Sequence, residues 1–105
     1  MHDVLSRIRL IASQERVRLT AHAQAEMLEE DISLDALLQA IGSGTILENY
    51  PEHRRGPCCL VCGRDNRDRP LHIVCTSTLP VLVIITVYEP RPPKWISPTE
   101  RRKWA

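Results

Sequence analysis

The run Val81-Leu82-Val83-Ile84-Ile85-Thr86-Val87-Tyr88 constrains the fold of this chain more than any other stretch. Seven of its eight residues are apolar, and most are β-branched or aromatic. That composition fits a strand buried on both faces in the middle of a sheet. Glu89-Pro90 ends it, because proline brings no N–H to a ladder. The chain then delivers Arg91, Lys94 and Trp95 to the surface just past the strand's C-terminal end.

The residues before this strand divide into helices and then strands. Asp3 is placed to cap a first helix whose inward stripe is Val4, Leu5, Ile8, Ile11 and Ala12. Arg16-Val17-Arg18-Leu19 alternates and reads as a short edge strand. Thr20 caps a second helix over 21–30. Ser33 caps a third, with Leu34, Leu37, Leu38 and Ile41 facing inward and Gly42 and Gly44 stopping it. Thr45 to Tyr50 reads as a strand with Ile46, Glu48 and Tyr50 on one face. After a polar loop from Pro51 to Pro57 come a strand over Cys58 to Gly63, a turn over Asp65 to Asp68, and a hairpin partner over Leu71 to Thr76. Ser97-Pro98-Thr99-Glu100 has the form of a capping box with proline at the first helical position. It predicts a short helix carrying Arg101, Arg102, Lys103 and Trp104. The fold class is therefore α+β: N-terminal helices packed on a four- to five-stranded antiparallel meander, with a short C-terminal helix.

At 105 residues the expectation is one domain, 1–105, with a basic tail over 96–105. No window approaches the ~18 uncharged apolar residues of a membrane span. The Met1-His2-Asp3 start carries no basic-then-apolar leader, which points to the cytoplasm. Residues 1–50 hold four Lys/Arg against eight Asp/Glu, a net charge of −4. Residues 51–105 hold ten against five, a net charge of +5. Such a split either gives the molecule one face suited to polyanions or is an ordinary solvated surface. The cysteines are Cys58, Cys59, Cys62 and Cys75. Cys59 and Cys62 match C-x-x-C in letters only, since in a strand they point to opposite faces. Free thiols are expected, and neither a metal nor a cofactor.

Several pieces occur together in order: Thr20-x-His22-Ala23 with Met27 and Ile32-Ser33, then Gly44-x-Ile46-Leu47-Glu48-x-Tyr50-Pro51. Pro57-x-Cys59-Leu60-Val61-x-Gly63, Arg69-Pro70-Leu71-His72-Ile73-Val74-Cys75, Ile85-Thr86-Val87-Tyr88-Glu89-Pro90 and Lys94-Trp95 follow. Over about 16–95 this resembles an uncharacterised bacterial family, number 4258 in the domain-of-unknown-function series. The resemblance implies a small toxin related to the RelE and MqsR type of RNA-cleaving fold. It also implies a zinc-finger antitoxin of the MqsA or YgiT type as partner. Many members carry Arg-Met after the His-Ala and Arg-Gly before the Ile-Ser. This chain has Glu26-Met27 and Glu30-Asp31, so its second helix is expected to present an acidic surface.

Metal-independent RNA cleavage needs a base for the 2′-hydroxyl, an acid for the leaving oxygen, and cations for the phosphorane. His22 follows the cap Thr20, where the helix dipole favours neutral imidazole and Glu26 is one turn away. It is either a base or a histidine packing helix onto sheet. His72 lies in an apolar strand, either lining a groove or bonded within the core. Arg69 stands at that strand's start, to fork a phosphate or to sit on an exposed hairpin. Tyr88 ends the long strand, where it either binds or stacks on a base or covers the core. Arg91, Lys94, Arg101, Arg102 and Lys103, with Trp95 and Trp104 interleaved, either track phosphates or form a solvated helix with one tryptophan docked. The leading expectation is a toxin-like endoribonuclease of a toxin–antitoxin pair. His22 and His72 would be its acid/base pair, with Arg69 and Tyr88 assisting and the tail binding RNA. The rival is a non-catalytic interaction module with the same fold.

Overall fold

The computed structural model describes residues 3–78 and 80–102. Lys103 and Trp104 lie outside the described residues. Three helices, α1 (Val4–Ser13), α2 (Ala21–Glu30) and α3 (Leu34–Ser43), accompany a five-stranded sheet. Its strands are β1 (Val17–Leu19), β2 (Thr45–Tyr50), β3 (Cys58–Arg64), β4 (Pro70–Thr76) and β5 (Leu82–Tyr88), in the order β1-β5-β4-β3-β2. The fold is α+β, as expected. No described helix is long and apolar enough to cross a membrane.

All three expected caps form. Asp3 accepts from the Ser6 N–H, Thr20 from Ala23 and Ser33 from Ala36. In α1, Ile8, Ile11 and Ala12 are buried, whereas Val4 is exposed. In α3 the buried face is Ala36, Leu37, Ala40 and Ile41, and Leu34 is exposed. Gly42 stays within that helix, and Gly44 alone caps it.

The sheet departs from a simple meander at one edge. β2 to β5 are antiparallel neighbours, but β1 pairs parallel to β5, with Val17 opposite Leu82 and Leu19 opposite Ile84. β4, not β5, is therefore the middle strand. β5 is also not buried on both faces: Leu82, Ile84 and Val87 are buried, while the residues between them are only partly so. Its β-branched composition suits the half-buried pleat equally well, which is why composition alone misread it.

The helices cover one face. Cys59, Val61, Leu71, Ile73, Cys75, Ile84 and Val87 join the helical residues in one apolar cluster. Alternation sends Cys58, Leu60, Cys62, His72 and Val74 to the opposite face. Cys59 and Cys62 thus point apart. A bulge between Ile46 and Glu48 breaks the expected alternation of β2. Ile46 packs on the helical core, while Glu48 and Tyr50 sit opposite Leu60 and Cys58 on the other face.

Two acids of α2, Glu26 and Glu30, are turned toward the sheet, while Glu29 and Asp31 are exposed. β1 is too short to cover β5, and α2 lies along the remaining edge. Glu26 accepts the Val87 N–H at 2.9 Å, and Glu30 accepts the Glu89 N–H at 3.0 Å. Four residues of helix rise about 6 Å. Two residues of strand span about 6.7 Å, so one pair of carboxylates meets two successive free donors. The expected acidic face is, at these two positions, a substitute for a missing strand.

The expected C-terminal helix is replaced by a second, two-stranded sheet, β6 (Trp95–Ser97) and β7 (Glu100–Arg101). A helix of barely two turns gains little from its cap. The extended form instead buries Trp95 to 2% exposure on the sheet face opposite the helices.

Gly63 and Gly42 make a controlled comparison. A methyl on Gly63 would drive into the Ala40 carbonyl, whereas nothing lies within 4 Å of the same position on Gly42. Gly63→Ala is expected to cost about 2 kcal/mol or more through forced separation of α3 and β3. Gly42→Ala should stabilise by about 0.5 kcal/mol, as alanine is the better helix former. Urea denaturation of the two variants measures both, and equal effects would contradict the packing described.

Candidate functional site

The face of the sheet away from the helices carries the polar residues. In the antiparallel register one row across it reads Tyr88, His72, Cys62 and Thr45. The next row reads Thr86, Val74, Leu60 and Glu48. Tyr50 follows one step further along β2. The β6–β7 hairpin brings Trp95 and Pro98 to the first row and Arg101 to Glu48 in the second.

His72 is fully buried and both its nitrogens are engaged. Nε2 lies 2.6 Å from the Pro98 carbonyl oxygen, and Nδ1 lies 3.1 Å from the Tyr88 hydroxyl. A carbonyl can only accept, so Nε2 carries the hydrogen. Nδ1 is then the acceptor of the neutral ring, and the Tyr88 hydroxyl donates to it. The Trp95 ring stands edge-on to the imidazole at 4.3 Å, and the Tyr88 ring at 5.2 Å. Burial pushes the imidazole below its ordinary pKa of 6.5, while the Pro98 bond and the Glu48 carboxylate act in the opposite direction.

Arg101 forks Glu48, with Nε to Oε2 at 3.1 Å and Nη2 to Oε1 at 2.7 Å. Its guanidinium also stacks over Trp95, 4.6 Å from the ring centroid. The Tyr50 hydroxyl donates to Oε1 of the same carboxylate. The Arg101 bond holds the Glu48 carboxyl below its ordinary range. Burial, with Glu48 second, raises the Tyr50 phenol, and burial raises the Tyr88 phenol. Two hydrogen-bonded units, Tyr88–His72 and Tyr50–Glu48–Arg101, therefore share one face and one electrostatic neighbourhood.

Other expected residues lie elsewhere. His22 is on α2, its side chain 66% exposed, with Nε2 3.3 Å from Glu26. Among the described residues no hydrogen bond or ring contact joins it to His72. Arg69 turns to the other side of the sheet. It donates to the Glu30 and Asp31 carbonyls at the end of α2 and to the Glu89 carboxylate at 2.7 Å. It thereby satisfies a helix C-terminus and is held away from the His72 face. Arg91 binds Glu30 and Glu89, and Arg102 donates to the Pro93 carbonyl. Lys94 is exposed. Of the expected residues, Tyr88 bonds His72, Arg101 reaches the same face, and the charges of Arg101 and Lys94 both act on the ring.

Glu48 and Tyr50 are the participants that the sequence reading did not assign a role. The available signal was a carboxylate two residues from a tyrosine in a strand, a pattern that puts both on one pleat face. Arg101 was assigned to a helical tail and works instead from a hairpin.

Residues 19–89 match the model of a family described as a domain of unknown function (DUF4258). The match takes in Glu48, Tyr50, His72 and Tyr88 and ends before Trp95, Pro98 and Arg101. Comparison with curated proteins and with solved structures gave no match.

The lowered His72 pKa fixes a pH dependence. Above about pH 6.5 the ring is neutral in both folded and unfolded chains. Below that, the unfolded chain takes up a proton that the folded one resists. Stability should therefore fall as pH drops from 6.5 toward the folded pKa. Glu48, also lowered, adds its own loss only below its ordinary 4.5. Denaturant titrations from pH 8 to pH 5 check this. His72→Gln should be less stable throughout and should lose part of the slope between pH 6.5 and 5. An unchanged slope would contradict the buried neutral ring.

Proposed function

We propose that this chain, which belongs to the DUF4258 family, is a toxin-like, metal-independent endoribonuclease with its reacting centre on the sheet face beneath the β6–β7 hairpin. The observation that carries the reading is the pair of units flanking Arg101 on that face. Tyr88–His72 stands on one side, and Tyr50–Glu48 on the other. Cleavage by the neighbouring 2′-hydroxyl is an in-line displacement, which needs proton acceptor and donor on opposite flanks.

His72 acts through Tyr88. The tyrosine oxygen takes the 2′-hydroxyl proton as its own passes to Nδ1, and the bond from Nε2 to Pro98 holds the imidazolium formed. The 2′-oxygen attacks phosphorus, and Arg101 stabilises the phosphorane charge. The bond to the 5′-oxygen breaks, and the Tyr50 hydroxyl protonates that oxygen. The products are a 2′,3′-cyclic phosphate and a 5′-hydroxyl. His72 then loses its extra proton, and Tyr50 regains one, through water. Burial keeps the ring in its neutral, accepting form at neutral pH, and it acts only through Tyr88. His22 and Arg69 have no part in it. A zinc-finger antitoxin of the MqsA or YgiT type would cover this face.

One observation favours a second reading, a non-catalytic interaction module: Glu48 already neutralises Arg101, as in a purely structural network. Incubation of the purified chain with single-stranded RNA in the presence of a chelator separates the two. The nuclease reading expects cyclic-phosphate ends, with Tyr88→Phe and Arg101→Gln each at least about 100-fold slower while folded by circular dichroism. His22→Ala should cleave within about threefold of wild type. Absence of cleavage by the wild type at any ratio of protein to RNA would leave the interaction module.

A further inference from the structure

The β2–β3 loop, residues 51–57, folds over the same sheet face from the opposite end to the hairpin. Its His53, Arg54 and Arg55 line a hollow of about 450 Å³ together with Ile85 of β5. Ile85 is the residue squeezed out of register where β4 and β5 shift between Val74 and Cys75, so the bulge aims it at this hollow. The loop is fixed at its base. The His53 N–H bonds the Tyr50 carbonyl at 3.4 Å, and the Arg55 N–H donates to His53 Nδ1 at 3.1 Å. The hollow therefore begins one turn along the chain from Tyr50.

Its cations differ from three arginines at the other end of the sheet. Arg69, Arg91 and Arg101 are each bound to a carboxylate. The Arg54 and Arg55 guanidiniums are exposed, and among the described residues they have no hydrogen-bond or ion-pair partner. Glu52 is the acid of the loop, and it too is exposed. Unmatched forked cations beside an apolar side chain can hold one nucleotide of a single strand, with phosphate on arginine and the base packed against the apolar group.

We propose that His53, Arg54, Arg55 and Ile85 form a subsite for the nucleotide flanking the scissile phosphate. Arg54 and Arg55 take the backbone phosphate, and Ile85 takes the base. The subsite rests on the RNA-cleaving reading and extends it to substrate binding. It directs the strand along this side of the molecule, from the loop toward Arg101.

The test uses the full chain and a fluorescent 2′-O-methyl oligonucleotide, which binds but offers no attacking hydroxyl. Anisotropy titrations over a range of salt give both Kd and its salt slope. Arg54→Gln/Arg55→Gln should weaken binding about tenfold and reduce the slope of log K against log salt by about 1.4, two single-strand phosphate contacts. Ile85→Ala should weaken binding several-fold with the slope unchanged. An unchanged Kd and slope in the double arginine variant overturns the subsite, as does absence of binding by the wild type at low salt. The cleavage assay on the matching ribo-oligonucleotide keeps the two readings apart. Binding with the expected slope change but no wild-type cleavage rejects the nuclease and supports the subsite. Wild-type cleavage with an unchanged KM in the double variant does the reverse.

Discussion

A single imidazole joins the two parts of this molecule. His72 sits in the middle strand, fully buried, with one nitrogen on the Pro98 carbonyl and the other on Tyr88. A buried ring with either nitrogen unpaired would be costly, so the sheet requires the hairpin as much as the hairpin requires the sheet. Trp95 and the Arg101–Glu48 fork add packing and charge to the same contact. The Pro98 bond, Trp95 burial and the fork together hold the hairpin extended.

The chemistry proposed for this face depends on the same contact. Tyr88 is oriented by His72, and Arg101 is brought to Glu48 by the strand that follows Pro98. Both units are completed by residues 95–101, which lie beyond the matched family stretch. Arg91 and Arg101 are thus placed by folding rather than displayed along a helix, while the guanidiniums of Arg54 and Arg55 in the β2–β3 loop stay exposed.

Local signals carried most of the fold. The caps Asp3, Thr20 and Ser33 and the strand bounds from Cys58 to Tyr88 depend on neighbours a few residues away, and the sequence displays these. What it hid depends on contacts far apart in the chain. The parallel pairing of β1 with β5 joins residues over sixty positions apart. The role of Glu26 and Glu30 appears only once β5 has an uncovered edge for them to serve. The Ser97–Glu100 capping box is a true local preference for helix, overridden by burial of Trp95. At the site, His72 and Tyr88 were legible because both fall on strand positions. The convergence of Arg101 on Glu48 was not, since a bulge in β2 and a hairpin at 95–101 had to be known together.

The tautomer of His72 reports most directly on this arrangement. Long-range proton–nitrogen spectra of the labelled imidazole, recorded as pH falls from 8 to below 6.5, distinguish Nε2–H, Nδ1–H and the doubly protonated ring. The account predicts one fixed neutral form, protonated at Nε2, persisting below pH 6.5. A mixture of tautomers that titrates at the ordinary histidine pKa would contradict it.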